Sequence, residues 1–450
     1  MPPTSPSETA EPPRRVVDAL RYIGPGLILT AGIVGTGELV LTPRVASEHG
    51  FALLWLIVLG CMVKVFTQIE LSRYAVATGT PTLQILDGMP GPRLGAGWML
   101  WIWLPVFIAM ISVIGGILGG TAEVLRLAGL DVDPRILVVV LGLSCAIALG
   151  WGGYRVVERF STVLVVLFAL ATAVAVCALQ WTEYRVTAAD LVEGFSFRLP
   201  ANFATAFAAL GIIGVGAAEL LYYPYWCLEK GYGRRVGPRV PGDAGWIARA
   251  QGWMRVMRVD AWTSMIVYTG ATAAFFLLGA AILHRKGLVV ANADMVSTLA
   301  HMYVETFGAA GLWVFLVGAF ATLYSTAFAG TASNARLLAD ALGLFGLARR
   351  QADETAYRRR VQWCSALLPV YATALYLVWP RPVTLILISG IGQAILLPFL
   401  GGAALYLRYR RLDHALRPGR LWSAMLWLSA ASLAVAGGWQ LYEQVAKWLG

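Results

Sequence analysis

Apolar residues fall in long blocks separated by short polar connectors, and eleven blocks follow one another along the chain: Gly24–Thr42, Phe51–Glu70, Trp98–Gly120, Ile136–Gly152, Phe160–Trp181, Phe203–Trp226, Ala261–Leu283, Phe307–Thr331, Val361–Trp379, Val383–Leu407 and Leu421–Leu441. A helix needs about 20 apolar residues to cross a hydrocarbon layer of roughly 30 Å. Barrel strands are about half as long and alternate, which these blocks do not. The pattern predicts an all-α integral membrane protein with about eleven transmembrane helices.

Two blocks are interrupted in the same way. The first contains GIVGTGELVLTP, from Gly32 to Pro43, and the sixth GIIGVGAAELLYYP, from Gly211 to Pro224. Each is an apolar run broken by glycines, with one glutamate (Glu38 or Glu219) followed five residues on by a proline. A carboxylate within an apolar span costs roughly 2.5–3.5 kcal/mol on insertion. Its recurrence in matching contexts points to a duplicated architecture with broken first and sixth helices.

Composition and charge set the orientation. Of 450 residues, 58% are hydrophobic and 13% charged, against about a quarter charged in soluble domains. With the N-terminus in the cytoplasm, the inner loops hold about 25 of the 35 Lys and Arg, as the positive-inside rule requires. The net charge of +10 is thus a topological signature and no nucleic-acid footprint, because the basic residues gather on no single module. Five crossings separate the two copies, so the second half runs inverted relative to the first. The expected units are a disordered cytoplasmic tail over 1–20, a first repeat of five helices over 21–200, a second over 201–410, and an additional eleventh helix over 411–450. This makes a multi-pass cell-membrane protein with its C-terminus opposite the cytoplasm and the lipid bilayer as its surroundings.

The chemistry follows from the breaks. Gly35, Gly37, Gly214 and Gly216 weaken their helices by roughly 1 kcal/mol each relative to alanine. Freed backbone groups are tolerated at membrane depth only where they are buried in protein or line a cavity. Such carbonyls become oxygen ligands, and the half-helix ends act as charged poles. With Glu38 and Glu219 as metal ligands, backbone of Gly35, Thr36, Gly37, Gly216, Ala217 and Ala218 would complete a substrate shell, joined by Gln393 one turn from Ser389. Oxygen-only ligation suits a hard cation such as Mg²⁺, Ca²⁺ or Mn²⁺, and paired carboxylates suit a coupling proton. The bland readings remain open. Glycines also serve close helix packing, and a lone buried glutamate can pair with Lys64 or Arg44. Lys64 and Glu70, six apart on the second span, read as structural pair partners or as a gate. Hydroxyls around Tyr324 to Asn334 read as cross-helix bonds, and Tyr222, Tyr223, Tyr225 and Trp226 as interface anchors or a cation–π wall. The five cysteines and four histidines show no ligand spacing. There is no nucleotide, dinucleotide or hydrolase motif, so neither an enzyme nor a cofactor is implied.

Four stretches resemble the Nramp family of proton-coupled divalent metal transporters, which have the LeuT-like inverted-repeat fold. They are Gly24-Pro25-Gly26 with GFALLW from Gly50 to Trp55, QIELSRYAVATG from Gln68 to Gly79, FAALGIIGVGA from Phe207 to Ala217, and ILISGIGQAILLPF from Ile386 to Phe399. The resemblance departs at the site itself. The family's Asp-Pro-Gly-Asn falls on Gly35, Thr36, Gly37 and Glu38. Its Met-Pro-His-Asn falls near Ala218, Glu219, Leu220 and Leu221, and its tenth-helix glutamine falls on Gly390. Loss of the thioether argues against a standard iron or manganese importer and favours a hard ion. The sequence reading is therefore a secondary transporter of a cation, most simply a divalent metal ion and possible proton symporter. A transporter of a small organic cation or polar solute, and a non-transporting membrane ligand sensor, are the alternatives.

Overall fold

The structure, a computed structural model, describes residues 9–151, 154–200, 204–240, 242–292, 294–349 and 353–449, without the side chains of Val16, Thr36 and residues 154–164, 204–205 and 448–449. Among the described residues, eight helices are long and apolar enough to cross a membrane: Pro25–His49, Leu54–Thr78, Trp98–Leu127, Ala244–His284, Ala309–Leu344, Glu354–Val378, Pro382–Arg411 and Arg420–Lys447. The other predicted spans correspond to Pro134–Gly150 (fourth), Tyr154–Ala178 (fifth), and the sixth, split into Ala204–Leu210 and Ala217–Glu229. We number the helices first to eleventh in chain order and call the halves of the sixth 6a and 6b. The only strand pairing among the described residues is a two-residue ladder, Arg93–Leu94 with Ala96–Gly97.

Burial explains the arrangement. The first helix packs on 6b, the seventh and the eighth; the tenth packs on the third and both halves of the sixth; the eleventh lies on the tenth and second. The fourth helix turns Ile136, Val140, Leu143 and Ile147 outward at helical spacing. A soluble protein would hide such a stripe; a lipid-facing helix displays it.

The two interruptions differ in kind. In 6a–6b the chain leaves the helix between Leu210 and Ala217. Gly214 sits at φ +64°, where a Cβ would also meet the Cys61 sulfur at 2.7 Å. Only glycine enters this conformation without cost. The first helix, expected to be broken at Gly35–Gly37, is continuous: it widens into a π-helical stretch over Val34–Leu41 and resumes as Thr42–His49. Its glycines serve packing. A Cβ on Gly35 would lie 1.8 Å from Thr326 Oγ1 and 2.9 Å from the Thr322 carbonyl, so Gly35 lets the eighth helix approach the backbone. The first-helix carbonyls therefore keep helical partners, and the expected ligation by Gly35, Thr36 and Gly37 has no unwound backbone to supply it.

Within the tail expected over 1–20, the described residues from Thr9 on make specific contacts. Ala10 N–H donates to the Arg235 carbonyl at 3.1 Å, and Trp253 Nε1 donates to the Ala10 carbonyl at 2.8 Å. Pro12 fits against Gly252, where a Cβ would meet Pro12 Cγ at 2.1 Å. These contacts dock residues 9–12 on the seventh helix; residues 1–8 lie outside the described residues.

Candidate functional site

The break in the sixth helix creates two poles, and side chains from other helices meet both. Helix 6a ends in free carbonyls, a partial negative charge. Lys64, 2% exposed on the second helix, donates Nζ to the Leu210 carbonyl and, at 2.7 Å, to the Ile213 carbonyl. Helix 6b begins with free N–H groups, a partial positive charge. Gly216 N–H donates to Glu219 Oε2 at 3.0 Å, and Ala218 N–H donates to Gln393 Oε1 at 3.0 Å. Gln393 Nε2 in turn donates to Ser389 Oγ at 3.2 Å. Both ends of the carboxamide are thus engaged, and Gln393 acts as a cap on 6b.

Glu38 and Glu219 occupy different places. Glu38 is fully buried; its Oε1 accepts from Gly214 N–H at 2.9 Å and from Thr272 Oγ1 at 2.9 Å, and its Oε2 has no partner. It ties the first helix to the break and to the seventh helix. Neither Arg44 nor Lys64 pairs with it: Arg44 pairs with Glu48, and Lys64 holds the 6a carbonyls. Glu219 instead lines a cavity of about 50 Å³ between the first, third, sixth, eighth and tenth helices. Glu38 is absent from that wall. Of the two glutamates expected around one ion, Glu219 lines this cavity, and Glu38 is buried behind the wall, where it accepts from an N–H freed by the break. Among the described residues no group of three or more His, Cys, Asp or Glu is placed to hold a metal ion.

Besides Glu219 and Gln393, the cavity's polar groups come from the eighth-helix positions read as cross-helix bonding and from Tyr222, read as an interface anchor or cation–π wall. Ser333, Asn334 and Thr326 line it from the eighth helix and Tyr222 from 6b. Asn334 is 2% exposed; its Nδ2 donates to the Gly330 carbonyl at 2.9 Å, but its Oδ1 is buried without a partner. An orphaned buried acceptor on a cavity wall is a ligand position in waiting, since leaving it unpaired costs about 1–3 kcal/mol. Met110 brings a thioether side chain to the same wall, and Ile28, Leu29, Ile114 and Ile117 make much of the remainder apolar. Trp226 closes one side, covered by the Arg336 guanidinium at 4.4 Å from the ring centroid; Arg336 also pairs with Glu229. The only sequence signal for Asn334 was an amide inside an apolar helix.

A second support was equally hidden. Asp260 on the seventh helix accepts from Gly24 N–H at 2.9 Å and from Gly26 N–H at 2.7 Å, capping the first helix, and from the Tyr223 hydroxyl at 2.8 Å. Glu70, read as a structural pair member or a gate, meets Arg73 on its own helix and Arg408 and the Trp422 indole on other elements.

Comparison with known proteins places this arrangement. Residues 26–443 match the family model described as natural resistance-associated macrophage protein-like, Nramp. The divalent metal cation transporter MntH of Caldanaerobacter subterraneus is 22% identical over 328 residues, 72% of each chain. MntH of Deinococcus radiodurans is 22% identical over 433 residues, covering 96% of this chain and 92% of that one. A variant of the Eremococcus coleocola manganese transporter superposes with a TM-score of 0.71 at 16% identity, covering 99% of this chain and 91% of that one. A nucleobase-cation-symport-1 family transporter superposes at 0.58 and 14% identity, covering 98% and 95%. These likenesses show the fold: an all-helical integral membrane transporter of the LeuT type.

Proposed function

The chain belongs to the Nramp family, and from that premise we propose that it is a secondary transporter moving a divalent metal cation by alternating access, with Glu219 as the charged ligand. It is a multi-pass membrane protein and no enzyme. The observation that carries the reading is the cavity at the N-terminus of 6b. Its volume of about 50 Å³ admits an ion with one or two waters, each taking roughly 30 Å³. Pockets that take drug-sized ligands run to about 300–1,000 Å³, so this cavity suits a small ion better than a bulky organic solute. The oxygens on the cavity wall, the Glu219 carboxylate and the unpartnered Asn334 Oδ1, are hard donors that suit Mg²⁺ or Mn²⁺. Gln393, Ala217 and Ala218 then shape the site by fixing the start of 6b.

Glu38 takes a separate role in this reading. Its orphaned Oε2 makes a neutral, protonated carboxyl cheaper to bury than a carboxylate. We assign the coupling proton to Glu38, which touches the break through Gly214 and senses its geometry.

Uptake of Mg²⁺, Mn²⁺ and Ca²⁺ into proteoliposomes, with and without an inward proton gradient, tests both statements. Gradient-stimulated uptake of at least one ion is expected. Glu38→Gln should keep cation affinity within about threefold while losing the stimulation, because the change removes a proton site and no cavity ligand. Absence of uptake and binding for every divalent ion would overturn the metal reading and return the organic cation to the front. The loop charges support a cytoplasmic N-terminus. A C-terminal tag should accordingly be labelled only from the opposite side, and cytoplasmic labelling would contradict eleven crossings.

A further inference from the structure

Away from the cation cavity, a second pocket of about 200 Å³ opens where the second and seventh helices meet the connector between the tenth and eleventh. Its wall carries Arg73, Arg255, Arg258 and Arg417, with Gln251, Met254 and the turn Ala415–Pro418. Arg408 stands behind it, 3% exposed and reaching the same Glu70 that meets Arg73.

The charge balance is unusual. Glu70 is the only carboxylate that pairs with any of these five arginines among the described residues. Arg255 and Arg258 make no hydrogen bond or ion pair there, and the Arg258 Nε and Arg73 Nη2 atoms are buried without an acceptor. Arg417 is held in place by carbonyls of Tyr409 and Leu412, at 3.1 and 3.0 Å, with no anion. Gln251 Nε2 donates to the Ala415 carbonyl at 2.9 Å, bracing the turn against the seventh helix. A preorganised group of like charges with unspent N–H donors is held against its own repulsion, and an anion relieves both deficits at once.

The surroundings say where that anion sits. Phe66, Trp262 and Trp422 cluster alongside, with ring centroids 5.6 and 5.1 Å from Phe66, and the Arg73 guanidinium lies 5.6 Å from the Trp422 ring centroid. Trp422 stands in the first turn of the eleventh helix, where tryptophans mark the headgroup level of a bilayer, and Leu421 beside it is exposed. Basic pockets between transmembrane helices at this depth match phosphate-bearing headgroups.

We propose that the pocket formed by Arg73, Arg255, Arg258 and Arg417 binds a phosphate group, carried by an anionic membrane lipid whose acyl chains run along the second and eleventh helices. Bound there, the phosphate bridges the seventh helix to the connector before the eleventh and supplies the missing counter-charge.

Native mass spectrometry of the full chain, delipidated in detergent and titrated with phosphatidylglycerol, phosphatidylcholine or inorganic phosphate, tests this. Retention of phosphatidylglycerol and not phosphatidylcholine is expected. Affinity should fall by roughly tenfold or more in Arg255→Gln/Arg258→Gln, given the contribution of each cationic side chain near a membrane surface. Neither residue has a partner to lose, so the variant should melt with the native protein; Arg255→Gln alone, at an exposed position, provides the milder check and should give a smaller loss in the same direction. Inorganic phosphate that binds by itself and displaces the lipid would support the phosphate site and assign it to the free ion. Equal retention by native and variant chains, or retention of neither phosphatidylglycerol nor phosphate, overturns the proposal.

Discussion

Glu219→Gln should weaken divalent cation binding by about two orders of magnitude and bring proteoliposome uptake close to the protein-free background. Among the described residues Glu219 is the only carboxylate on the cavity wall. Its setting makes the charge more consequential than in an ordinary site. The carboxylate stands on the first turn of 6b, where the helix presents about half a positive charge, and the Lys64 ammonium sits across the break on the 6a carbonyls. With Glu219 ionised, the cavity attracts a cation in spite of these two fields. With glutamine there, both fields remain and the balance turns against it. Fold and charge separate cleanly in this variant, because glutamine Oε1 can still accept from Gly216 N–H. The melting temperature in detergent should accordingly stay near the native value while binding by calorimetry is lost. Native-like uptake in Glu219→Gln would remove Glu219 from the site, even with the family and the fold unchanged.

The comparison between Glu38 and Glu219 also shows what the chain makes legible. The repeated glycine-rich stretch with its glutamate identified the two helices around which the bundle is organised, because a charge in an apolar run needs an explanation. It did not reveal that the copies would be treated differently. Gly35 and Gly214 look alike in sequence; the first is pressed against Thr326, nearly 300 residues on, and the second against Cys61. One stretch becomes a π-helical widening and the other a true break, each beside a neighbour the chain alone does not reveal. The eleven spans were readable because span length and composition are local properties. Asn334 and Asp260 were not, since their significance lies in an unpaired oxygen at a cavity wall and in two N–H groups more than 230 residues away. Polar residues in apolar helices could be flagged from the chain; their partners could not.

Lys64 carries the largest structural prediction. The sequence offered it as a partner for a glutamate, yet its ammonium takes no carboxylate and caps the carbonyl pole of 6a. This is a cation bound to the kind of freed carbonyls that would otherwise receive a substrate ion, and it is covalently attached to the second helix. Lys64→Met keeps the length and apolar bulk of the side chain and removes the donor. Two buried carbonyls then lose their partner, and each costs about 1–3 kcal/mol. A destabilisation of roughly 2–4 kcal/mol is expected, partly offset because a buried charge is removed as well. The loss should be local before it is global: amide exchange should rise first over Leu210–Gly216, the segment that Lys64 pins, while the third and tenth helices keep their protection. Lys64→Arg should recover part of the stability, since a guanidinium still donates to carbonyls, though its planar fork fits two acceptors on one loop less freely than a rotating ammonium. A Lys64→Met chain with native melting and native exchange over this segment would mean that the break holds itself, through Gly214 and Glu38, without the tether.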